Sequence, residues 1–343
     1  MQTSDTEVLW RPAGRGSFRS RAVNGYLTRV SHPVMAAGMG RNGPSARVIS
    51  AMRPGVNRSL SALSPVPSGT RVEQVRESLA DGQVRGEWVS AHAGPARPAS
   101  TDQTILYYLH GSGYVICSPR THRGLVARLS RRTGWSAFSL DYRLGPEYRF
   151  PTAGDDAIRG YHWLLDQGHR ADQIVVAGDS AGGHMALDLL ADNHRRGIAQ
   201  PRGIVMFSPL YDPTFDLAVA SQLRGVRDPL IDAVSAQRIL QLYTGDAEPG
   251  HPRMRVHLPA GMSLPPTLIQ VGGLEVMGDD ARAVERVLRE AGGHVRLQEW
   301  PGQGHVFQMF PLFSDESRLA LREAAGFLRN LPTRAPTVHV MPE

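Results

Sequence analysis

Short apolar runs alternate with amphipathic stretches along most of the chain beyond residue 70. Six runs are rich in apolar, β-branched or aromatic residues and are bounded by Gly, Pro or Asp, as buried strands often are; they read TILYYL, SAFSL, QIVVA, GIVMF, TLIQV and HVRLQEW. Helix-like stretches connect most of them: THRGLVARLSRR, AGDDAIRGYHWLLDQ, HMALDLLADNHRR and DDARAVERVLREA. A further strand pair is predicted where RVEQVRESL and QVRGEWVSA flank the turn ADG. The pattern predicts an α/β fold with a mainly parallel central sheet and helices on both faces.

Two parts of the chain depart from this alternation. Residues 1–68 are rich in Gly, Ser, Pro and Arg, and SHPVMAAGMG and NRSLSALSPVPSG predict short helices and loops there. More than 50 residues, at about 211–262, separate GIVMF from TLIQV, which is too long for a plain connection and predicts an inserted lid. We therefore expect an N-terminal cap segment at 1–68, a main domain at 69–335 that carries the insertion, and a tail at 336–343.

The composition excludes some classes of protein. The formal charge is +6, and all 38 basic residues are Arg, but they are scattered, so we expect no nucleic-acid partner. No apolar run approaches the roughly 18 residues of a membrane helix, so no integral membrane segment is predicted. The first residues lack the pattern of a secretory signal, and Cys117 is the only cysteine. These features predict a cytoplasmic location, with peripheral attachment to an envelope left open.

The sequence GDSAGG follows the strand QIVVA and leads into a helix. It contains G-x-S-x-G, in which a serine on a sharp strand-to-helix turn exposes its hydroxyl beside small residues. This context favours Ser180 as a nucleophile. A Gly-rich turn capped by Ser and a phosphate-binding turn are the alternatives, although the pattern of the phosphate-binding loop is missing.

A nucleophilic serine also needs donors for the oxyanion. The Gly-rich stretch HGSGY, which starts at His110, follows the strand TILYYL. Its flexible backbone favours the amides of Ser112 and Gly113, together with that of Ala181, as donors. An ordinary strand-end turn is the alternative. A second ligand at suitable spacing from His110 is lacking, so no metal site is predicted.

Candidates for the catalytic base and acid follow the last two predicted strands. His305 ends PGQGH after the last predicted strand, and it follows the serine in the order Ser, acid, His. After the penultimate strand, Glu275, Asp279 and Asp280 are available. Glu275 lies nearest the strand end and is favoured; Asp279 stays as the alternative acid, and Asp279 or Asp280 could instead cap the next helix.

Together these blocks resemble the bacterial hormone-sensitive lipase-like esterases, or family IV, of the α/β-hydrolase fold, from about Arg71 to Leu331. The family's H-G-G-G motif reads HGSG here, its block YRLAPEHPFPAAxDD reads YRLGPEYRFPTAGDD, and its GDSAGG motif is intact. Its acid motif D-P-L-x-D aligns with EVMGD, with Glu in the place of the acid, and its H-[GV]-F motif reads HVF. The serine in HGSG replaces a glycine, which narrows the oxyanion loop or, if a positive φ is needed, strains it.

The resemblance implies a serine carboxylesterase that acts on short- to medium-chain acyl esters through an acyl-enzyme on Ser180. It implies no metal and no organic cofactor, and a possible homodimer formed at the sheet edge. It also implies substrate contacts around the oxyanion loop and the serine, for which the candidates are His110, Gly111, Tyr114 and Asp179. An amide or lactone hydrolase of the same fold and a ligand-binding relative without turnover stay open as alternatives.

Overall fold

The computed structural model describes Gly14 and residues 16–38 and 45–332, with side chains left out at 30–38. The predicted tail at 336–343 lies outside the described residues. An eight-stranded sheet forms the centre of the described part, in the order β1-β2-β4-β3-β5-β6-β7-β8. Its strands are β1 (Arg71–Leu79), β2 (Gly82–Ser90), β3 (Ile105–Leu109), β4 (Ser136–Leu140), β5 (Ile174–Asp179), β6 (Gly203–Phe207), β7 (Thr267–Gly272) and β8 (Val295–Trp300).

Strands β3 to β8 are parallel to one another, whereas β2 pairs antiparallel with both β1 and β4. The mainly parallel sheet and the strand pair around the turn are therefore confirmed. Because parallel strands end at one edge, the loops after β3, β5, β6, β7 and β8 lie close together.

Helices cover both faces of the sheet, as predicted. The α-helices are α1 (Phe18–Gly38), α2 (Ala46–Leu63), α3 (Pro119–Thr133), α4 (Thr152–Asp166), α5 (Ala181–Arg196), α6 (Asp216–Leu223), α7 (Ala233–Thr244), α8 (Gly278–Glu290) and α9 (Asp315–Arg329). The side chains of β3 alternate between two cores. Leu106 and Tyr108 pack in the core that contains residues of α3 and α9, and Tyr107 packs in the core that contains residues of α4, α5 and α8.

The N-terminal part differs from the short helices and loops that were predicted. It contains two longer helices, α1 of 21 residues and α2 of 18 residues, and Pro54 lies inside α2. Proline removes a hydrogen bond from a helix interior and predicts a break, so the sequence favoured shorter elements. The helical signal in α2 was the spacing of Ile49, Met52, Val56 and Leu60, which share one face.

The long connection between β6 and β7 contains α6 and α7. Helix α7 starts after Asp232, whose side chain accepts a hydrogen bond from the backbone N–H of Ser235. This capping explains why the helix begins there, inside a stretch without strands. The loop before it, residues 228–231, approaches the ends of β7 and β8, as described below.

Candidate active site

Ser180 lies between the end of β5 and the start of α5, in a backbone conformation with φ 52° and ψ −118°. This region is sparsely populated for residues other than glycine, so the surrounding structure must hold the turn in place. Its backbone N–H donates to the carbonyl of Phe207 at 2.9 Å, and its own carbonyl accepts from the amides of Gly183 and Leu210 at 2.9 and 3.0 Å. The turn is therefore tied to β6 and to the loop that follows it.

The glycines on either side of Ser180 permit close contacts of the backbone. A Cβ atom at Gly178 would lie 2.7 Å from backbone atoms of Gly182, and one at Gly182 would collide with the carbonyl of Leu109 at the end of β3. A larger residue at either position would therefore clash with the neighbouring helix or strand. The start of α5 is thus held beside the loop after β3.

The loop after β3 contains Ser112, Gly113 and Tyr114, all with positive φ, of 82°, 62° and 62°. The serine that replaces a glycine thus occupies a left-handed conformation, which carries a steric cost. Its side chain lies near the buried thiol of Cys117, where it lowers the pKa of the thiol against the larger rise caused by burial. Ser112 and Gly113 line the same cavity as Ser180, and Ala181, the third predicted oxyanion donor, is the first residue of α5.

Three of the four predicted substrate contacts do not line this cavity. His110, Gly111 and Tyr114 are buried behind the loop. His110 stacks on Tyr142 with ring centroids 4.2 Å apart, and the hydroxyl of Tyr114 contacts Nδ1 of His184 at 2.8 Å. The expectation of direct contact is corrected for these residues, because the turn of the loop directs them into the protein interior.

The fourth, Asp179, does line the cavity, although it is 2% exposed. Its carboxylate accepts a hydrogen bond from the hydroxyl of Tyr108 at 2.7 Å and contacts Nε2 of His122 at 3.2 Å. Burial opposes its charge, but the contacts with His122, the hydrogen bond from Tyr108 and the nearby His110 together outweigh burial, so the pKa of Asp179 lies below its ordinary value. Its partners are protein groups, which indicates that it braces the turn that carries Ser180.

His305 and Glu275 are in direct contact. Nδ1 of His305 lies 2.7 Å from Oε2 of Glu275, and the two residues follow the adjacent parallel strands β8 and β7. Asp279, the alternative acid, lies in the first turn of α8, where Ser221 donates to it at 3.0 Å and Arg282 pairs with it at 3.0 Å. The structure thus brings Glu275 to His305 and directs Asp279 to other partners.

The surroundings of His305 favour its protonated form. Burial disfavours the cation, but the hydrogen bond and negative charge of Glu275 outweigh burial, so the pKa of His305 is raised above its ordinary value. The charges of Asp228 and Asp179 act in the same direction. The site therefore stabilises an imidazolium, the state that a histidine reaches after it accepts a proton.

Asp228, a buried carboxylate in the connection between β6 and β7, is not among the residues predicted from the sequence. Its oxygens accept hydrogen bonds from the amides of Leu230 and Ile231 at 2.8 and 3.0 Å, and from the amide of Val276 at 3.1 Å. Burial raises its pKa to about 6. Asp228 thus joins the segment 228–231 to the residue after Glu275, and no motif in the long connection indicated this role.

A cavity of about 370 Å³ contains Ser180 and His305 in its wall. Most of its lining is apolar and comes from α2, from the connection between β6 and β7, and from the loop after β8; these residues include Ile49, Met52, Val56, Leu60, Ile231, Ile239, Leu240, Met309 and Phe310. Such a wall suits an apolar ligand with a few polar groups beside it.

A metal-binding cluster and a membrane-spanning helix are both absent from the described residues. Among the described side chains, those of residues 16–29 and 45–332, His, Cys, Asp and Glu do not form a group of three or more that could hold a metal ion. Among the helices of the described part, none has the length and apolar character needed to cross a membrane.

Known proteins similar to this chain identify its family. Residues 106–309, more than half of the chain, match the family described as the α/β-hydrolase fold. An acetyl-hydrolase of Streptomyces hygroscopicus is 37% identical over 72% of this chain and 80% of its own, and an esterase of Acinetobacter venetianus is 31% identical with the same coverage. The crystal structure of an esterase from the bacterial hormone-sensitive lipase family matches with a TM-score of 0.76 and 30% identity, over 93% of this chain and 99% of the other. The chain belongs to the α/β-hydrolase family, among the bacterial hormone-sensitive lipase-like esterases.

Proposed function

We propose that the protein is a serine carboxylesterase that cleaves short- to medium-chain acyl esters through an acyl-enzyme on Ser180. The observation that carries the proposal is the 2.7 Å contact of His305 with Glu275 beside a cavity whose wall contains Ser180. A histidine paired with a carboxylate beside a strained serine is the arrangement that acyl transfer needs. The names of the relatives, acetyl-hydrolase and esterase, agree with it.

In the first half of the reaction, His305 removes the proton of Ser180 while the serine oxygen attacks the ester carbonyl. Because Nδ1 is engaged with Glu275, Nε2 is the nitrogen that exchanges the proton. The tetrahedral intermediate collapses, the bond to the alkoxy oxygen breaks, and His305 returns the proton to the leaving alcohol. Water repeats these steps on the acyl-enzyme and releases the carboxylic acid.

Stabilisation of the negative charge that develops on the carbonyl oxygen is assigned to the backbone amides of Ser112, Gly113 and Ala181. Supporting this, Ser112 and Gly113 line the cavity with Ser180 and Ala181 opens α5, whose N-terminal end favours negative charge. Glu275 orients His305 and stabilises the imidazolium, in agreement with the raised pKa of His305.

The cap is assigned to α2 and to the connection between β6 and β7, because both supply apolar side chains to the cavity. This keeps the proposed division into a cap segment at 1–68, a catalytic domain at 69–335 and a cap insertion at about 211–262. Arginine and lysine side chains are not among the described residues of the cavity wall, so an uncharged ester fits better than an anionic one.

A series of p-nitrophenyl esters of increasing acyl length tests the proposal. The wild-type protein should hydrolyse the acetate to hexanoate members, and Ser180→Ala should lose this activity. Hydrolysis that persists in Ser180→Ala would contradict the proposed nucleophile. A preference for long chains would overturn the chain-length proposal alone.

Amide or lactone hydrolysis is the alternative within the fold, since it uses the same acyl-enzyme. Parallel assays of an ester, its matching amide and a lactone separate these activities. A ligand-binding relative without turnover would bind an ester and release it unchanged.

We also propose a cytoplasmic location and a homodimer. The buried lone thiol of Cys117 is typical of a reducing compartment. Strand β8 ends the sheet on one side in the described part of the chain, which offers an edge to a second copy. Cell fractionation and light scattering test the two proposals.

A further inference from the structure

Ser208 directly follows β6 and is fully buried. Its φ of 47° is left-handed, an unfavourable conformation for serine. Its amide donates to the carbonyl of Gln270 in β7 at 2.7 Å, so the backbone is held against the neighbouring strand. A strained, well-anchored residue at the carboxyl edge of a parallel sheet is a reason to ask what its side chain does.

The hydroxyl of Ser208 contacts both partners of the His305–Glu275 pair. Oγ donates to Oε1 of Glu275 at 2.8 Å, and it accepts a hydrogen bond from the backbone N–H of Val306 at 3.1 Å. Val306 directly follows His305 and also has a left-handed φ, of 46°. One hydroxyl therefore connects the carboxylate to the loop that carries the imidazole.

The direction of these bonds is defined. An amide N–H can only donate, so Oγ must be the acceptor toward Val306, and its single proton is left for Glu275. With the amide of Gly272, which also donates to Oε1, Ser208 holds one oxygen of Glu275 while the other contacts His305. A glutamate side chain has one more rotatable bond than an aspartate, so its carboxylate needs such donors to hold one orientation.

We propose that Ser208 is a positioning residue that holds the Glu275 carboxylate and the loop of His305 in fixed positions relative to each other; this rests on the proposed esterase function. Ser208 is not part of the cavity wall among the described residues, so it has no route to substrate binding. Its loss should lower kcat and leave KM close to the wild-type value. Misplacement of the pair by a fraction of an ångström predicts a fall in kcat of about 10- to 100-fold.

Two substitutions remove the hydroxyl with different effects on the backbone. Ser208→Ala keeps the steric cost of the left-handed conformation, whereas Ser208→Gly adopts that conformation readily and protects the fold. Ser221→Ala is the matched control, because Ser221 is also buried and its hydroxyl donates to a carboxylate, that of Asp279, at 3.0 Å. This control should keep the wild-type kcat.

The first readout is steady-state hydrolysis of p-nitrophenyl acetate, with kcat and KM determined separately. The second, which does not depend on turnover, is the deshielded NMR resonance of the His305 Nδ1 proton in its hydrogen bond to Glu275. In Ser208→Gly this resonance should move upfield or broaden, whereas Ser221→Ala should retain it.

The two readouts separate the inference from the function on which it rests. An unchanged resonance in Ser208→Gly overturns the positioning role, whatever happens to kcat, and so does a rise in KM with kcat unchanged. A wild-type protein that does not hydrolyse esters would contradict the proposed function, while a perturbed resonance in Ser208→Gly would still support Ser208 as the residue that positions the pair.

Discussion

Nδ1 of His305 lies 2.7 Å from Oε2 of Glu275, across the carboxyl ends of two adjacent parallel strands. The contact depends on topology as well as on side-chain type, because residues 30 positions apart meet only when β7 and β8 end at one edge of the sheet. It also distinguishes Glu275 from Asp279, which lies four residues further along the chain, since Asp279 contacts Ser221 and two arginines instead.

This separation predicts unequal effects of two similar substitutions. Glu275→Gln should lower kcat by about 10²- to 10⁴-fold, because the amide supplies no charge to stabilise the imidazolium. The pKa of His305, now raised by Glu275, should fall, so the acid limb of the pH–rate profile should move to lower pH. Steady-state kinetics between pH 5 and 9 measure both effects.

Asp279→Asn is the control for this experiment. It should keep kcat near the wild-type value and leave the acid limb in place, because Asp279 is paired with Arg282 and Arg224. If Asp279→Asn lost activity while Glu275→Gln kept it, the assignment of the acid would be wrong.

A second prediction concerns the backbone of the oxyanion loop. Ser112 has φ 82°, which an alanine adopts with difficulty and a glycine adopts readily. Ser112→Gly should therefore be more stable to urea than Ser112→Ala by about 1 kcal/mol, although both lose the hydroxyl.

Substitutions of a helical serine by glycine and by alanine serve as the control for this comparison of stability. At Ser130, in α3, glycine should be less stable than alanine by about 0.5–1 kcal/mol, since glycine weakens helix interiors. Equal stability of the two Ser112 variants would argue against the left-handed conformation.

A third prediction follows from Asp280, which is fully buried and accepts hydrogen bonds at Oδ1 from the amides of Tyr211 and Asp212, each at 3.0 Å. Burial raises its pKa to about 7. The folded state therefore holds a proton that the unfolded chain releases near pH 4. This contribution to stability is complete below about pH 4 and is lost as the pH rises through about 7.

Asp280→Asn should remove this dependence, because an amide does not ionise and its Oδ1 can accept the same two hydrogen bonds. The difference between its free energy of unfolding and that of the wild type should increase in favour of Asp280→Asn from pH 4 to pH 8, by on the order of 4 kcal/mol. Chemical denaturation over this range measures it, with Asp279→Asn as the control for the change in net charge. Parallel pH curves for Asp280→Asn and wild type would contradict the prediction.

The sequence predicted most of the sheet and the candidate triad, because strand ends and small residues around a serine leave local signals. Ser180, Glu275 and His305 each follow a recognisable strand. Whether a loop side chain faces the cavity or the protein interior could not be predicted in the same way. His110 and Tyr114 stand in the same short loop as Gly113, and only the turn of the backbone decides which of them meets the cavity.

Other features lacked a local signal. Ser208 and Asp228 act through contacts with residues far along the chain, and neither lies in a motif. Helix α2 contains Pro54, which obscured a regular apolar face. In these cases tertiary packing, rather than local preference, determines the structure.

Reaction with a fluorophosphonate, followed by peptide mass mapping, tests the nucleophile most directly. A single adduct on the peptide that contains Ser180, absent from Ser180→Ala and slowed in Glu275→Gln, is the expected result. An adduct on another residue, or undiminished labelling of Ser180→Ala, would contradict the assignment of Ser180.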